Sequence, residues 1–378
     1  MRQDATLFGR RVRIAGMPED SAPPNDARQL VDQILNQALC QRASDVHIEP
    51  TADGYDVRYR VDGLLHTAGQ YDPAVGRTIV NRLMVMAQLL TYRLDIPQEG
   101  RLRVALPAAE APLEMRLAII PTSQGIRAAV RLPAELIQPR TLDQLDLPGQ
   151  VMDGLVRFAR SDVGMLAMTG PAGSGKTTTI YALLQKIVEL SPGLSIICLE
   201  DPVERNLPGV TQIEVSAFGE MTYERALKSI LRQDPQVLML GEIRDAATAS
   251  LAIQAALSGH RLICTLHAAS PAGAISRLFE MGLEPYQITS ALFGVVAQRL
   301  LRRTVNGSEY RGRVPAAEMV VMDDALRKAV LERGDADCLR KSYQSQSRYA
   351  SMRAVADDLV IRGLTDATEV RRVFGEDA

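Results

Sequence analysis

The chain has 378 residues, 46% hydrophobic and 23% charged, enough material for about two to three domains with large cores. A net charge of -2 gives no global basic field for nucleic acid, and 4% aromatics with no Trp weaken any reading built on base stacking. The four cysteines (Cys40, Cys198, Cys264 and Cys338) are scattered with no CxxC pair, which excludes a disulfide framework or a zinc knuckle and fits a reducing cytoplasm.

The opening MRQDATLFGRRVRIAGMPED has neither the apolar core nor the cleavage site of a secretory signal, and residues 1–24 read as a loose arm. Asn25 or Asp26 is placed to cap a helix over Ala27 to Cys40, where Val31, Ile34, Leu35 and Ala38 share one face. SDVHIEP and GYDVRYRVDGLLH alternate apolar and polar residues and turn at Asp53-Gly54 and Asp62-Gly63, which predicts a small meander of strands. A helix is predicted over Thr78 to Leu90, with further strands at RLRVAL, LEMRLAII and RAAVRL. Residues 25–133 thus form a compact α+β domain. Residues 134–150, rich in proline, read as a linker.

From Val151 the pattern changes. VMDGLVRFAR predicts a helix, and VGMLAMTG a strand. Strands then alternate with helices as far as residue 270: LSIICLE, QVLMLGE and RLICTLH are strands, and YERALKSILRQD and ATASLAIQAALSGH are helices. Polar chemistry gathers where these strands end. That is the signature of a parallel, doubly wound α/β sheet with its ligand at the carboxyl edge. Residues 271–378 read as mostly helical. No apolar run reaches the length of about 18 residues that a transmembrane helix needs.

The segment GPAGSGKTT, Gly170 to Thr178, follows an apolar strand and opens a helix. Its glycines let the backbone N–H groups of Ala172, Gly173, Ser174, Gly175 and Thr178 curl toward phosphate oxygens, and the helix adds its positive end. Lys176 reaches the β- and γ-phosphates, and the Thr177 hydroxyl is a Mg²⁺ ligand. The strand VLML runs into Gly241-Glu242-Ile243-Arg244-Asp245. Its end is expected beside the phosphate loop, where Glu242 can hold a Mg²⁺ water or orient an attacking one. LEDPVE offers Glu200, Asp201 and Glu204 as a general base and metal-shell groups, and TLH brings His267 to the same edge.

GPAGSGKTTT, EDPVE, LRQDPQVLMLGEIRD and GHRLICTLH, in this order, resemble the Walker A, Asp box, Walker B and His box of the secretion ATPase superfamily, the type II secretion and type IV pilus motors. ASDVHIEP, VRYRVDG and IPQEGR resemble the signatures of the domain before the motor. The resemblance implies a homohexameric ATP- and Mg²⁺-dependent ATPase, with a PAS-like N-terminal domain, a RecA-like core and nucleotide between them. It implies a cytoplasmic protein, peripheral at the inner membrane through the platform protein that it drives, with no nucleic acid as partner. It makes Glu204 the water-activating base, Glu242 the Walker B glutamate and His267 the γ-phosphate sensor, with Asp201 and Thr177 near the metal. Arg101, Arg116 and Arg131 match arginines that face the nucleotide in relatives, a fitting use for a planar cation.

The chain departs from the family pattern in places. Gln236 stands where relatives carry an aspartate, and Ala268-Ala269 follow His267 where Thr and Asn are frequent. LLRRTVNGSEYRGR lacks the cysteines of the zinc module that many assembly motors carry, so no zinc is expected. The extra N-terminal domain of some relatives is expected to be absent. The tail MRAVADDLVIRGLTDATEVRRVFGED resembles assembly motors and lacks the helix of retraction motors. A retraction motor, a nucleic-acid motor and a nucleotide-binding scaffold with weak hydrolysis remain the alternatives.

Overall fold

The computed structural model describes residues 27–133, 141–215, 221–305 and 309–376. The arm, the expected caps Asn25 and Asp26, and residues 134–140 of the expected linker lie outside the described residues. The chain divides into two compact units between residues 137 and 138.

In the first unit, α1 (Ala27–Cys40) buries Leu30, Val31, Ile34, Leu35 and Ala38, the face that the spacing marks out. A six-stranded antiparallel sheet follows, built of β1 (Asp45–Pro50), β2 (Tyr55–Val61), β3 (Leu64–Tyr71), β4 (Gln98–Val104), β5 (Leu113–Thr122) and β6 (Gly125–Arg131), in the order β3-β2-β1-β6-β5-β4. The second helix, α2 (Pro73–Met86), begins and ends earlier than its periodicity suggests. Proline at the first helical position sacrifices no hydrogen bond and starts the helix, and Gln88, with φ of 57°, lies just past its end. Met115, Leu117 and Ile119 of β5 join Ile34, Ile79 and Leu83 of the helices in one core. The alternation of the strand puts Glu114, Arg116, Ala118 and Ile120 on the opposite, more exposed face.

The second unit begins inside the expected linker. Thr141 and Gln144 form a capping box around the short helix Leu142–Leu145, and Leu142, Leu145 and Leu147 pack with Leu155, Phe158 and Leu183. This stretch of the expected linker is therefore core. The elements α3 (Gly149–Ala159), β7 (Gly164–Thr169), α4 (Lys176–Leu190), β8 (Ile196–Glu200), β9 (Thr211–Glu214), α5 (Tyr223–Ile230), β10 (Val237–Leu240), α6 (Ala246–Leu257) and β11 (Arg261–Leu266) alternate much as expected.

The part beyond residue 271 corrects the helical reading. After α7 (Pro271–Glu280) and α8 (Pro285–Ala291) come two long strands, β12 (Leu292–Val305) and β13 (Glu309–Val321). Only then do α9 (Asp324–Leu331), α10 (Ala336–Gln344), α11 (Met352–Ile361) and α12 (Ala367–Phe374) follow. The strands complete a seven-stranded sheet of order β13-β12-β7-β11-β10-β8-β9. β13 is antiparallel to β12, and the other neighbours run parallel. β12 is nearly all buried over Leu292 to Ala297, so its apolar run shows no alternation and its period cannot distinguish strand from helix. Among the described residues no helix is long and apolar enough to cross a membrane.

An ionic cluster ties α12 to this hairpin. Glu369, with 0% exposure, accepts from the Arg302 amide at 2.9 Å, from Arg302 Nη2 at 2.7 Å and from Arg372 Nη2 at 2.6 Å. Burial raises its pKa, but the hydrogen bonds from Arg372 and Arg302 outweigh that and bring it from 4.5 down to about 2. A carboxylate with a depressed folded pKa stabilises the fold fully above its unfolded pKa and loses that contribution as pH falls toward the folded one. Glu369→Gln is therefore expected to cost about 3 kcal/mol at neutral pH, by leaving two cations without their partner. The deficit should shrink between pH 4.5 and about 2. Denaturant unfolding of both proteins across that range checks it, and a deficit that does not vary with pH refutes the assignment.

Candidate active site

The phosphate loop joins β7 to α4 and is shaped by close packing. Gly170, Gly173 and Gly175 have φ of 140°, 74° and 86°, a region that side chains rarely enter. A Cβ on Gly170 would lie 2.3 Å from the Gln298 carbonyl oxygen, and one on Gly175 would lie 2.8 Å from Gln298 Nε2. Ala172 is exposed, Thr177 and Thr178 are half-buried, and Ser174 is buried. Lys176 folds back over the loop, where Nζ donates to the carbonyls of Gly170 at 2.8 Å and Pro171 at 2.9 Å. Burial lowers its pKa, while the Glu242 carboxylate pulls it back up. The loop fits a phosphate chain on its own features. Ser174 Oγ is a buried hydroxyl with no hydrogen-bond partner among the described residues, and the two tight glycines keep the backbone bare.

The strand order corrects one expectation. β10, which leads into Glu242, does not lie beside β7, because β11 runs between them. His267, at the end of β11, is thus one strand from the loop, and Glu242 two. Threonine hydroxyls lock these ends together. Thr169 Oγ1 donates toward the carbonyls of Leu266 at 3.1 Å and Ala268 at 2.6 Å, and accepts from the Ala268 amide at 3.0 Å. Thr265 Oγ1 donates to the Gly241 carbonyl. These bonds hold the backbone on both sides of His267 and just before Glu242.

Glu242 sits between two cationic or polar partners. Its Oε2 is 3.0 Å from His267 Nε2, and its Oε1 pairs with Arg244. Burial raises its pKa, but the hydrogen bonds from Arg244 and His267 prevail and hold it below the usual carboxylate range. The structure thus pairs Glu242 with His267 and Arg244 and places its carboxylate where the charge acts on Lys176. The last acid of the motif has another duty: Asp245 caps α6, accepting from the Thr248 amide at 2.8 Å.

The other acids divide. Glu200 is buried and spends both carboxylate oxygens, accepting from the Tyr181 hydroxyl on one and from Gln212 Nε2 at 2.9 Å on the other. It is a packing residue that braces the end of β8, and burial raises its pKa despite those bonds. Glu204 and Asp201 are exposed in the loop after β8, and the Glu204 amide donates to the Tyr181 hydroxyl at 3.3 Å. Oxygen donors suited to Mg²⁺ are the Thr177 hydroxyl and the Glu242 carboxylate, with Asp201 as a further carboxylate. Mg²⁺ that also binds phosphates and waters needs only one or two such groups.

Arg101, Arg116 and Arg131 lie in the first unit. They stand opposite one another across β4, β5 and β6, with Arg101 paired to Arg116 and Arg116 to Arg131. They therefore form one row on the face away from the helices. Arg131 Nε pairs with Asp45 at 3.2 Å, and Arg101 Nη1 with Glu114 at 3.2 Å.

Sequence reasoning missed Arg244, Thr169, Thr265 and Gln298. Arg244 stood in plain view within the acidic motif. The threonines carried no signal, because a strand threonine is ordinary until its partner strand is known.

Known proteins show the same organisation. The Legionella pneumophila ATPase DotB superposes with a TM-score of 0.75 at 20% identity, covering 93% of this chain and 97% of that one. The pilus retraction motor PilT with bound ADP superposes at 0.67 with 26% identity, covering 90% and 96%. These likenesses support the α/β class with a RecA-like core. In sequence, the type II secretion system protein HxcR of Pseudomonas aeruginosa is 37% identical over 94% of this chain and 78% of its own length. The type II secretion system ATPase E of Vibrio cholerae is 34% identical over 95% and 76%. The type IV pilus assembly ATPase PilB of Thermus thermophilus is 31% identical over 92% of this chain and 42% of its own length. The model of the family described as Type II/IV secretion system protein matches residues 24–372, and the chain belongs to that family.

Proposed function

We propose that the chain is the Mg²⁺-dependent, ATP-hydrolysing motor of a type II secretion or type IV pilus assembly machine, acting as a homohexamer on an inner-membrane platform protein. The chain is an ATPase of its family. The observation that carries the reading is the convergence of the phosphate loop, Glu242 and His267 on one edge of the parallel sheet.

Each residue then has a task. The loop amides and Lys176 bind the phosphates, and Thr177 and Glu242 hold the metal, directly or through water. Mg²⁺, when bound, neutralises charge that develops on the transferred phosphoryl group. Glu204 takes the proton of the attacking water, Asp201 stands near the metal, and His267 reports the γ-phosphate to Glu242. The protein works at the cytoplasmic side of the inner membrane, held there by its partner, without zinc and without nucleic acid.

Relatives named for type II secretion and pilus assembly favour that direction over retraction. The test is ATP hydrolysis by the purified chain with Mg²⁺ over a range of protein concentrations. Specific activity should rise with concentration as rings assemble. Full activity in a chain that stays monomeric at every concentration refutes the hexamer, and salt-sensitive stimulation by DNA would favour a nucleic-acid motor instead.

A further inference from the structure

We infer that Gln298 of β12 is the positioning residue of the phosphate loop, so that the loop's grip on ATP depends on a side chain of a strand beyond the sequence motif. The inference rests on the reading of Gly170 to Thr178 as the phosphate site. Gln298 is 2% exposed. Its Nε2 donates to the Ser174 carbonyl at 2.8 Å, and its Oε1 accepts from Thr179 Oγ1 at 2.9 Å. One amide thus grips the loop and the first turn of α4 together. Both ends of that amide are desolvated, and leaving either unpaired is costly.

The geometry of the peptide bond says what this does. In a planar trans peptide the C=O and the following N–H point in opposite directions. Drawing the Ser174 carbonyl toward β12 aims the Gly175 N–H away from β12. The same residue explains two of the loop glycines, since a Cβ on Gly170 or on Gly175 would strike Gln298. Two side-chain hydrogen bonds and the closeness of Nε2 to Gly175 therefore set the loop's curvature, while Gly170 is crowded by the Gln298 backbone carbonyl. A primary amide is suited to this task because it presents a donor and an acceptor on one short head.

The test uses the full chain with Gln298→Met, which keeps the shape and removes both hydrogen bonds. Gln298→Glu keeps the acceptor for Thr179 and turns an oxygen against the Ser174 carbonyl. Affinity for a fluorescent ATP analogue and KM for ATP are measured beside the melting temperature. Both variants are expected to bind about tenfold more weakly and to show a KM raised to match, with kcat within about twofold, because a preformed loop serves substrate and transition state alike. A folded variant with wild-type affinity overturns the inference, even if its melting temperature has fallen, since that is what a purely structural residue would do. If Gln298→Met does not fold, Gln298→Glu carries the test. The phosphate-site reading fails separately, through a wild type that does not bind the analogue, and the inference falls with it.

Discussion

Glu242→Gln is expected to leave ATP binding intact and to lower turnover by about 10²- to 10⁴-fold. The substitution keeps size and removes charge. Arg244 and His267 both hydrogen-bond the Glu242 carboxylate and hold its pKa below the usual carboxylate range. An amide oxygen satisfies one of those donors, but its NH₂ faces the other. In the proposed mechanism the variant thus loses the negative charge that would hold the metal and its water, and it loses the fixed orientation of His267. Phosphate binding draws on the loop and Lys176, so affinity should survive. Single-turnover hydrolysis measured beside analogue binding separates the two. Full turnover in the variant would remove Glu242 from the chemistry. Loss of binding together with turnover would mean that it shapes the loop instead.

Lys176→Ala is expected to weaken ATP binding by about a hundredfold. Its ammonium donates to the carbonyls of Gly170 and Pro171 across the mouth of the loop. Removing it takes the cation from the phosphates and a brace from the backbone. Unlike Glu242→Gln, this variant should fail at binding, and excess ATP should restore part of its turnover. Equilibrium titration with the fluorescent analogue decides. Unchanged affinity would count against the site, because no other cation stands on the loop itself.

Gln236 raises a narrower question, since the resemblance leads one to expect an aspartate there. It lies at the start of β10, at the end of the strand remote from Glu242. There its Oε1 accepts from the Ser195 amide at 2.7 Å, its Nε2 donates to the Asp234 carbonyl at 3.1 Å, and its backbone N–H donates to the Ser195 carbonyl at 3.0 Å. An aspartate here is one methylene shorter and has no donor for the Asp234 carbonyl, so the glutamine makes a bond of its own at this turn. All these contacts lie at the amino edge of the sheet, away from Glu242.

The motifs were legible because their chemistry is local. Gly170 to Thr178 needs only consecutive backbone amides, one lysine and one hydroxyl at the start of a helix. The strand, turn and helix around it were readable from apolar runs and glycines. The apolar face of α1 was equally plain, because Val31, Ile34, Leu35 and Ala38 repeat with the helix period. The start of α2 was hidden by a proline that opens the helix rather than ending it. β12 was hidden because burial on both faces erases the alternation that reveals a strand.

Short stretches of chain carry the groups of the candidate site: a glycine loop with one lysine, acids at strand ends and an imidazole, on a parallel sheet. Which of those groups meet depended on the packing of the strands. It put β11 between the loop and Glu242, committed Glu200 to Tyr181 and Gln212, and gave Asp245 to a helix cap. It also brought Gln298 from β12 against the loop glycines. The physical reason is that a motif encodes what its own backbone and neighbours along the chain can do. The partner of a buried carboxylate or amide is set by strand order, which depends on contacts between residues far apart in the chain and leaves no local pattern in the sequence.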